Sequence, residues 1–264
     1  MGEIAFTIGW IDFYWYGLIT AFAVIVTAAV TVWHARLFRE SVVPVIDLFI
    51  YGVPVSVIFA RVSFVIMEWD SYRNVPAEIF HIWHGGMFFG GAVIGFSLVV
   101  FLYARISGLA FWRWADLLAP GLACGQAIGQ WASLMTQEAF GFPTNLFWGI
   151  YVDFAYRPAG YEQFDFFQPV FLYESVWNAG LFLLLVICSY VRLKYNRPKY
   201  NGFLFLLYAF FYSAGHFYFE SIRLDGIANG LVHSSQMISL ATMAVTMVLG
   251  VGRVMEYSFG CRRR

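Results

Sequence analysis

Four ionisable side chains, Asp47, Arg61, Asp116 and Glu174, stand within or at the edge of stretches that are otherwise apolar. A charge at membrane depth is costly, so each needs a partner on another helix, an interface within reach, or a reaction to serve. Asp47 and Arg61 would lie about 21 Å apart on one helix, from the helical rise, so they are not partners of each other. Asp47 and Asp116 fall near helix ends, where snorkelling or a structural ion pair explains them as readily as chemistry does. Tyr16 adds a hydroxyl near the start of the first apolar stretch. His216 and Glu220 are four residues apart, with Arg223 just beyond. Such groups can move a proton or hold an anion, although His216 and Glu220 can also share a hydrogen bond on one helix face without any catalysis. Glu78, His81 and His84 recur at three-residue spacing, but Gly85 and Gly86 follow and no fourth ligand is evident, so a metal site has little support. The plainer reading of His84 is an interfacial residue beside Trp83.

The elements that must position these groups are transmembrane helices. Apolar residues make up 61% of the 264 and charged ones 12%, half the share usual in soluble domains, about 25%. Stretches long enough to cross a bilayer occur at 13–33, 45–67, 86–103, 115–134, 170–191, 203–219 and 235–251. The chain is therefore expected to be all-α, a single polytopic membrane domain over 1–264 with about seven spans. Gly121, Gly125 and Gly129 form a ladder that lets another helix approach closely, and Gly85-Gly86 and Gly90-Gly91 fit close packing better than phosphate binding. The segment from 135 to 168 is aromatic and rich in Gly and Pro, and reads as a cap over a membrane cavity.

A net charge of zero hides an asymmetry. Arg36, Arg39, Arg105, Arg113, Arg192, Lys194, Arg197, Lys199, Arg253 and Arg262 to Arg264 occupy alternate loops and the tail. The opposite loops hold Glu68, Asp70, Glu78, Asp153, Glu162, Asp165 and Asp225 beside three arginines, Arg73, Arg157 and Arg223. The positive-inside rule then sets the N-terminus outside and the C-terminus in the cytoplasm, as seven spans require. Dispersal over short loops argues against a nucleic-acid surface. Glu3 and Asp12 precede the first span where a cleavable signal would carry Lys or Arg. Cys124 and Cys188 are expected to be small packing residues, and Cys261 is not in a prenylation context.

Several motifs together carry a family resemblance. They are Trp15-Tyr16-Gly17, Ala60-Arg61, Trp83-His84-Gly85-Gly86-Met87, Asp116-Leu117-Leu118-Ala119-Pro120, the segment from Gly121 to Gly141 ending in Gln137-Glu138-Ala139-Phe140-Gly141, Gly160-Tyr161-Glu162-Gln163, Phe171-Leu172-Tyr173-Glu174-Ser175, Trp177-Asn178, and Glu220 with Arg223. Over nearly its whole length the chain resembles the prolipoprotein diacylglyceryl transferases of the bacterial cytoplasmic membrane. The resemblance implies displacement at a glycerol carbon of phosphatidylglycerol by a lipobox cysteine thiol. That chemistry needs a base for the thiol, cations for the phosphate and an apolar cavity for two acyl chains. It implies catalytic roles for Tyr16, Glu138, His216 and Glu220. Arg61, Gln130, Tyr173, Glu174, Asn178 and Arg223 would bind substrate. The implied partners are the membrane, a phospholipid (phosphatidylglycerol first) and a lipoprotein precursor, and no cofactor or metal is implied.

The chain also departs from the family pattern at polar positions. Gln130, Ala132, Ser133 and Thr136 stand where the family has Arg, Gly, Asn and Asn; Gly90 stands for a His or Tyr, His216 for an Arg, and Gln168 for a His in many relatives. Gln130 can donate a hydrogen bond but cannot neutralise phosphate, and a histidine with an ordinary pKa is mostly neutral at pH 7. Altered or weak transfer is one expectation. The other is an inactive paralogue that binds phospholipid or precursor, or acts as an assembly subunit.

Overall fold

Inside a bilayer the backbone has no water to bond, so long apolar stretches are driven into helices that satisfy their own amides. The computed structural model describes residues 4–9, 11–81, 85–108, 110–195, 202–224 and 232–260. Trp83, His84, Arg197, Lys199, Asp225, Cys261 and Arg262 to Arg264 lie outside the described residues. Seven helices of eighteen residues or more are described: α1 (Trp15–Leu37), α2 (Val43–Met67), α4 (Phe89–Ile106), α5 (Phe111–Gly129), α7 (Val170–Lys194), α8 (Phe203–Ile222) and α9 (Val232–Gly260). Short helices α3 (Trp69–Tyr72) and α6 (Ala132–Thr136) lie between them. By length and composition α1, α2, α4, α7 and the Ser235–Arg253 part of α9 can each cross a membrane. Helices α5 and α8 coincide with the other two expected spans but carry Arg113 and Asp116, or His216 and Glu220, among their apolar residues. The fold is that of an all-α polytopic membrane protein.

Two departures from the expected spans bear on the fold. Residues 13 and 14 belong not to α1 but to an antiparallel hairpin of β1 (Ile4–Ile8) and β2 (Ile11–Tyr14), held by stacked Phe6 and Phe13 rings and a 2.7 Å Thr7–Asp12 hydrogen bond. The fourth span breaks after Gly129. The Ser175 hydroxyl takes the Ala127 carbonyl at 2.6 Å, and the Trp131 amide bonds instead to Ile128. That replaces the bond that would have continued the helix.

The chain divides into two compact units, residues 1–31 with 115–264, and residues 32–114. In the smaller unit α2 and α4 pack through glycines. A Cβ on Gly91 would strike the Phe59 carbonyl and the Ser63 hydroxyl, and one on Gly95 would meet Phe59 and the Val55 carbonyl at 2.9–3.1 Å. Asp47 accepts a 2.8 Å hydrogen bond from Tyr103, so it is satisfied between helices. In the larger unit the ladder meets α1. A Cβ on Gly121 would strike Thr31, and one on Gly125 would strike Thr27, whereas Gly129 finds only Ala23 at 3.9 Å. Two of the three rungs therefore require glycine. Asp116 is fully buried and accepts the amides of Gly202 and Phe205 at 3.1 and 2.9 Å. It thus caps the start of α8 from α5, where the first amides of a helix lack partners of their own. Ala119, Ala123, Leu181, Leu185, Leu204 and Tyr208 form a core among α5, α7 and α8. Cys124 and Cys188 are unpaired thiols, part-buried in α5 and α7.

The segment from 135 to 168 has its own small core of Phe140, Val152 and Phe167 with Leu224. Two short strands, β3 (Ile150–Tyr151) and β4 (Phe166–Phe167), pair across it. Arg157 holds it from inside through Asp165 at 2.9 Å and the Val152 and Glu162 carbonyls.

Candidate functional site

Every fourth residue of α8 from Tyr208 is polar: Tyr208, Tyr212, His216, Glu220. Four-residue spacing keeps side chains near one helix face. Opposite them α7 presents Glu174 and Asn178, likewise one turn apart, and both are buried. The Tyr212 hydroxyl lies in the electrostatic field of both Glu174 and Glu220, which joins the two faces into one polar seam. Tyr208 extends it to Gln126 of α5 with a 2.8 Å hydrogen bond, and its ring stacks on Tyr212. At the other end Glu220, 6% exposed, meets Arg223 at 3.5 Å. The His216 ring lies 5.9 Å from that of Tyr212, and its Nδ1 is 3.3 Å from the Ser239 hydroxyl on α9. Asn178 is 2% exposed, and its side-chain carbonyl has no hydrogen-bond partner among the described residues. A buried acceptor of that kind costs free energy until a donor arrives.

The helices approach closely here because Gly215 leaves room for the Trp177 indole, whose N–H donates to the Phe211 carbonyl at 3.0 Å. Beside this contact runs a groove of about 790 Å³ lined almost wholly by apolar side chains, among them Leu172, Val176, Leu181, Leu184, Phe211 and Phe219. Trp148 from the segment between α6 and α7, and Tyr173 from α7, also line it, joined by a 2.9 Å hydrogen bond.

Of the residues singled out in the sequence, Glu174, Asn178, His216, Glu220 and Arg223 come together in the seam, and Tyr173 lies at the groove. Tyr16 and Glu138 form a separate group. Glu138 follows α6, where left-handed Gln137 (φ 52°) and Ala139 (φ 54°) turn the chain, and it lies near enough to act electrostatically on the Tyr16 hydroxyl. Gln137 anchors this turn by bonding both the Asp153 carboxylate and its amide, at 2.5 and 2.7 Å. Gln130 follows α5 directly, part-buried. Arg61 belongs to the smaller unit and is 5% exposed. Its three nitrogens reach five backbone carbonyls: Ile79 at 3.0 Å, Gly85 at 2.5 Å, Gly86 at 2.9 Å, Glu78 at 2.6 Å and His81 at 3.4 Å. Tyr72 lies beneath it, 5.2 Å from the guanidinium carbon to the ring centre. Glu78 and His81 pair at 3.3 Å, while the third member of that spacing, His84, lies outside the described residues. The sequence reading overlooked Tyr212 and Ser239. The four-residue repeat along α8 could have revealed Tyr212, whereas nothing near position 239 marks it.

These features define a class: a polytopic helical membrane protein with buried carboxylates and an imidazole next to an apolar groove. Residues 3–251 match the family model for prolipoprotein diacylglyceryl transferase. Two proteins named phosphatidylglycerol–prolipoprotein diacylglyceryl transferase are each 37% identical to this chain. The one from Nostoc sp. aligns over 92% of this chain and 86% of its own length, and the one from Listeria innocua over 96% and 89%. The chain belongs to the prolipoprotein diacylglyceryl transferase family.

Proposed function

We propose that this chain moves the diacylglyceryl group of phosphatidylglycerol onto the cysteine thiol of a lipoprotein precursor in the bacterial cytoplasmic membrane. Family membership supports the reaction class. The observation that carries the reading is the seam of Glu174, Asn178, Tyr212, His216, Glu220 and Arg223 beside an apolar groove of about 790 Å³. Polar groups buried at membrane depth serve a polar substrate part, and the groove suits acyl chains. The thiol sulfur attacks the glycerol carbon, the carbon–oxygen bond to phosphate breaks, and glycerol phosphate leaves with that electron pair. Arg223 is the guanidinium of the seam, and Asn178 offers an acceptor for a glycerol hydroxyl. Tyr16 and Glu138 act at the turn below the cap, where the precursor enters.

Gln130 supplies no positive charge, so transfer from an anionic lipid is slower than a site with an arginine there would allow. A missing charge-assisted contact in the transition state costs orders of magnitude in rate. The test is rescue of a transferase-depleted bacterium, with precursor lipidation read by mass. Slow but measurable lipidation is expected. Absence of any lipidation by correctly inserted protein rejects the reading. The scarcity of cations in the seam would then favour a phospholipid-binding paralogue without catalysis, recognisable by phosphatidylglycerol retained in native mass spectrometry.

A further inference from the structure

We propose that His216 takes the proton of the attacking thiol through Nε2, and that Ser239 on α9 is the positioning residue that leaves Nε2 bare. This rests on the transferase reading above. A serine hydroxyl has one hydrogen to donate. That of Ser239 points along its own helix to the Ser235 carbonyl at 3.0 Å. Four other hydroxyls within these apolar helices behave alike: Thr27, Thr31, Ser189 and Thr246 each donate to the carbonyl four residues back at 2.8 Å. With its hydrogen on that shorter contact, Ser239 meets His216 Nδ1 at 3.3 Å as an acceptor, and this assigns the imidazole proton to Nδ1. A neutral imidazole has one N–H, and Nε2 then holds a lone pair. Ser239 is 5% exposed, which keeps water from competing for that contact. Among the described residues none hydrogen-bonds Nε2.

The proton balance closes within this geometry. The cysteine S–H proton passes to Nε2 as the sulfur–carbon bond forms, giving an imidazolium with Nδ1–H still on Ser239. Glu220, one turn along α8, supplies the negative charge that steadies the imidazolium, as a carboxylate beside a catalytic histidine does. The groups facing the ring from each packed element are few. Helix α8 brings Tyr212, Glu220 and, at its end, Arg223; α7 brings Glu174 by way of Tyr212; and α9 between 235 and 252 has no ionisable side chain. Titration of transfer is therefore read on His216 against a background of two carboxylates and one arginine.

The experiment uses the full chain in phosphatidylglycerol nanodiscs with ¹⁵N-labelled histidine, the His216 signals being assigned by their loss in His216→Asn. The wild type is expected to show a protonated Nδ1 and a bare Nε2. Ser239→Ala should shift the ring towards the opposite tautomer. The same change should lower transfer to a lipobox-cysteine peptide at least about tenfold with little change in KM, within the range that a general base contributes. Ser239→Thr, which keeps the hydroxyl, should retain both tautomer and rate, separating this effect from a folding defect. His216→Arg should abolish transfer. A bare Nδ1 in the wild type, an unchanged tautomer in Ser239→Ala, or faster transfer by His216→Arg would each overturn the proposal. A protonated Nδ1 with no transfer by the wild type would sink the transferase reading and still support the hold of Ser239 on the ring.

Discussion

Arg61 offers the sharpest test of how this chain uses its arginines. The family resemblance assigns it to substrate, yet in the fold its guanidinium faces five backbone carbonyls of residues 78–86 and stacks over Tyr72. A guanidinium has five N–H donors, so none is left over for phosphate if all five contacts are made. Arg61 then clamps the loop. Lysine offers three donors from a single point and cannot reproduce the fork. Arg61→Lys therefore loses at least two of the five contacts. At about 1.5 kcal/mol for each charge-assisted hydrogen bond, the loop is loosened by about 3 kcal/mol. That is roughly a hundredfold in its opening equilibrium. Amide hydrogen exchange at residues 77–81 and 85–86 should quicken by about that factor, while α7 and α8 stay protected. Unchanged exchange in Arg61→Lys, with phosphatidylglycerol binding lost, would refute the clamp and return Arg61 to the phosphate.

Three further outcomes can be checked. Gly125→Val places a side chain against Thr27 and 3.1 Å from the Ala23 carbonyl, so it should cost about 1–3 kcal/mol or more and lower the unfolding temperature in detergent, whereas Gly129→Ala should be nearly silent. Gln130→Arg should raise transfer from phosphatidylglycerol tenfold or more at neutral pH if this position faces phosphate; an unchanged rate would remove Gln130 from the site. Cysteines at 165 and 194, probed with an impermeant thiol reagent in intact cells, should label at 165 alone, and the reverse would invert the expected orientation.

The positions of the long helices were legible without coordinates because an apolar stretch in a membrane has one way to satisfy its backbone. The four-residue glycine spacing likewise announced a close helix contact, and α1 makes it at Gly121 and Gly125. Glu174 with Asn178, and His216 with Glu220, were readable as pairs because helical periodicity puts them on shared faces. Tertiary structure alone decided which faces meet. The break after Gly129 depends on the hydroxyl of Ser175, 48 residues from the Ala127 carbonyl it takes, and the hairpin before α1 on pairing between two short segments. Asp116 proved to be a helix cap for α8 and Arg61 a binder of carbonyls, uses that residue type does not distinguish from ion pairing or phosphate binding. Ser239 was invisible for the same reason. Periodicity fixes where a side chain lies around its own helix, but the partner it reaches depends on the register between helices, and that is set by packing along their whole length.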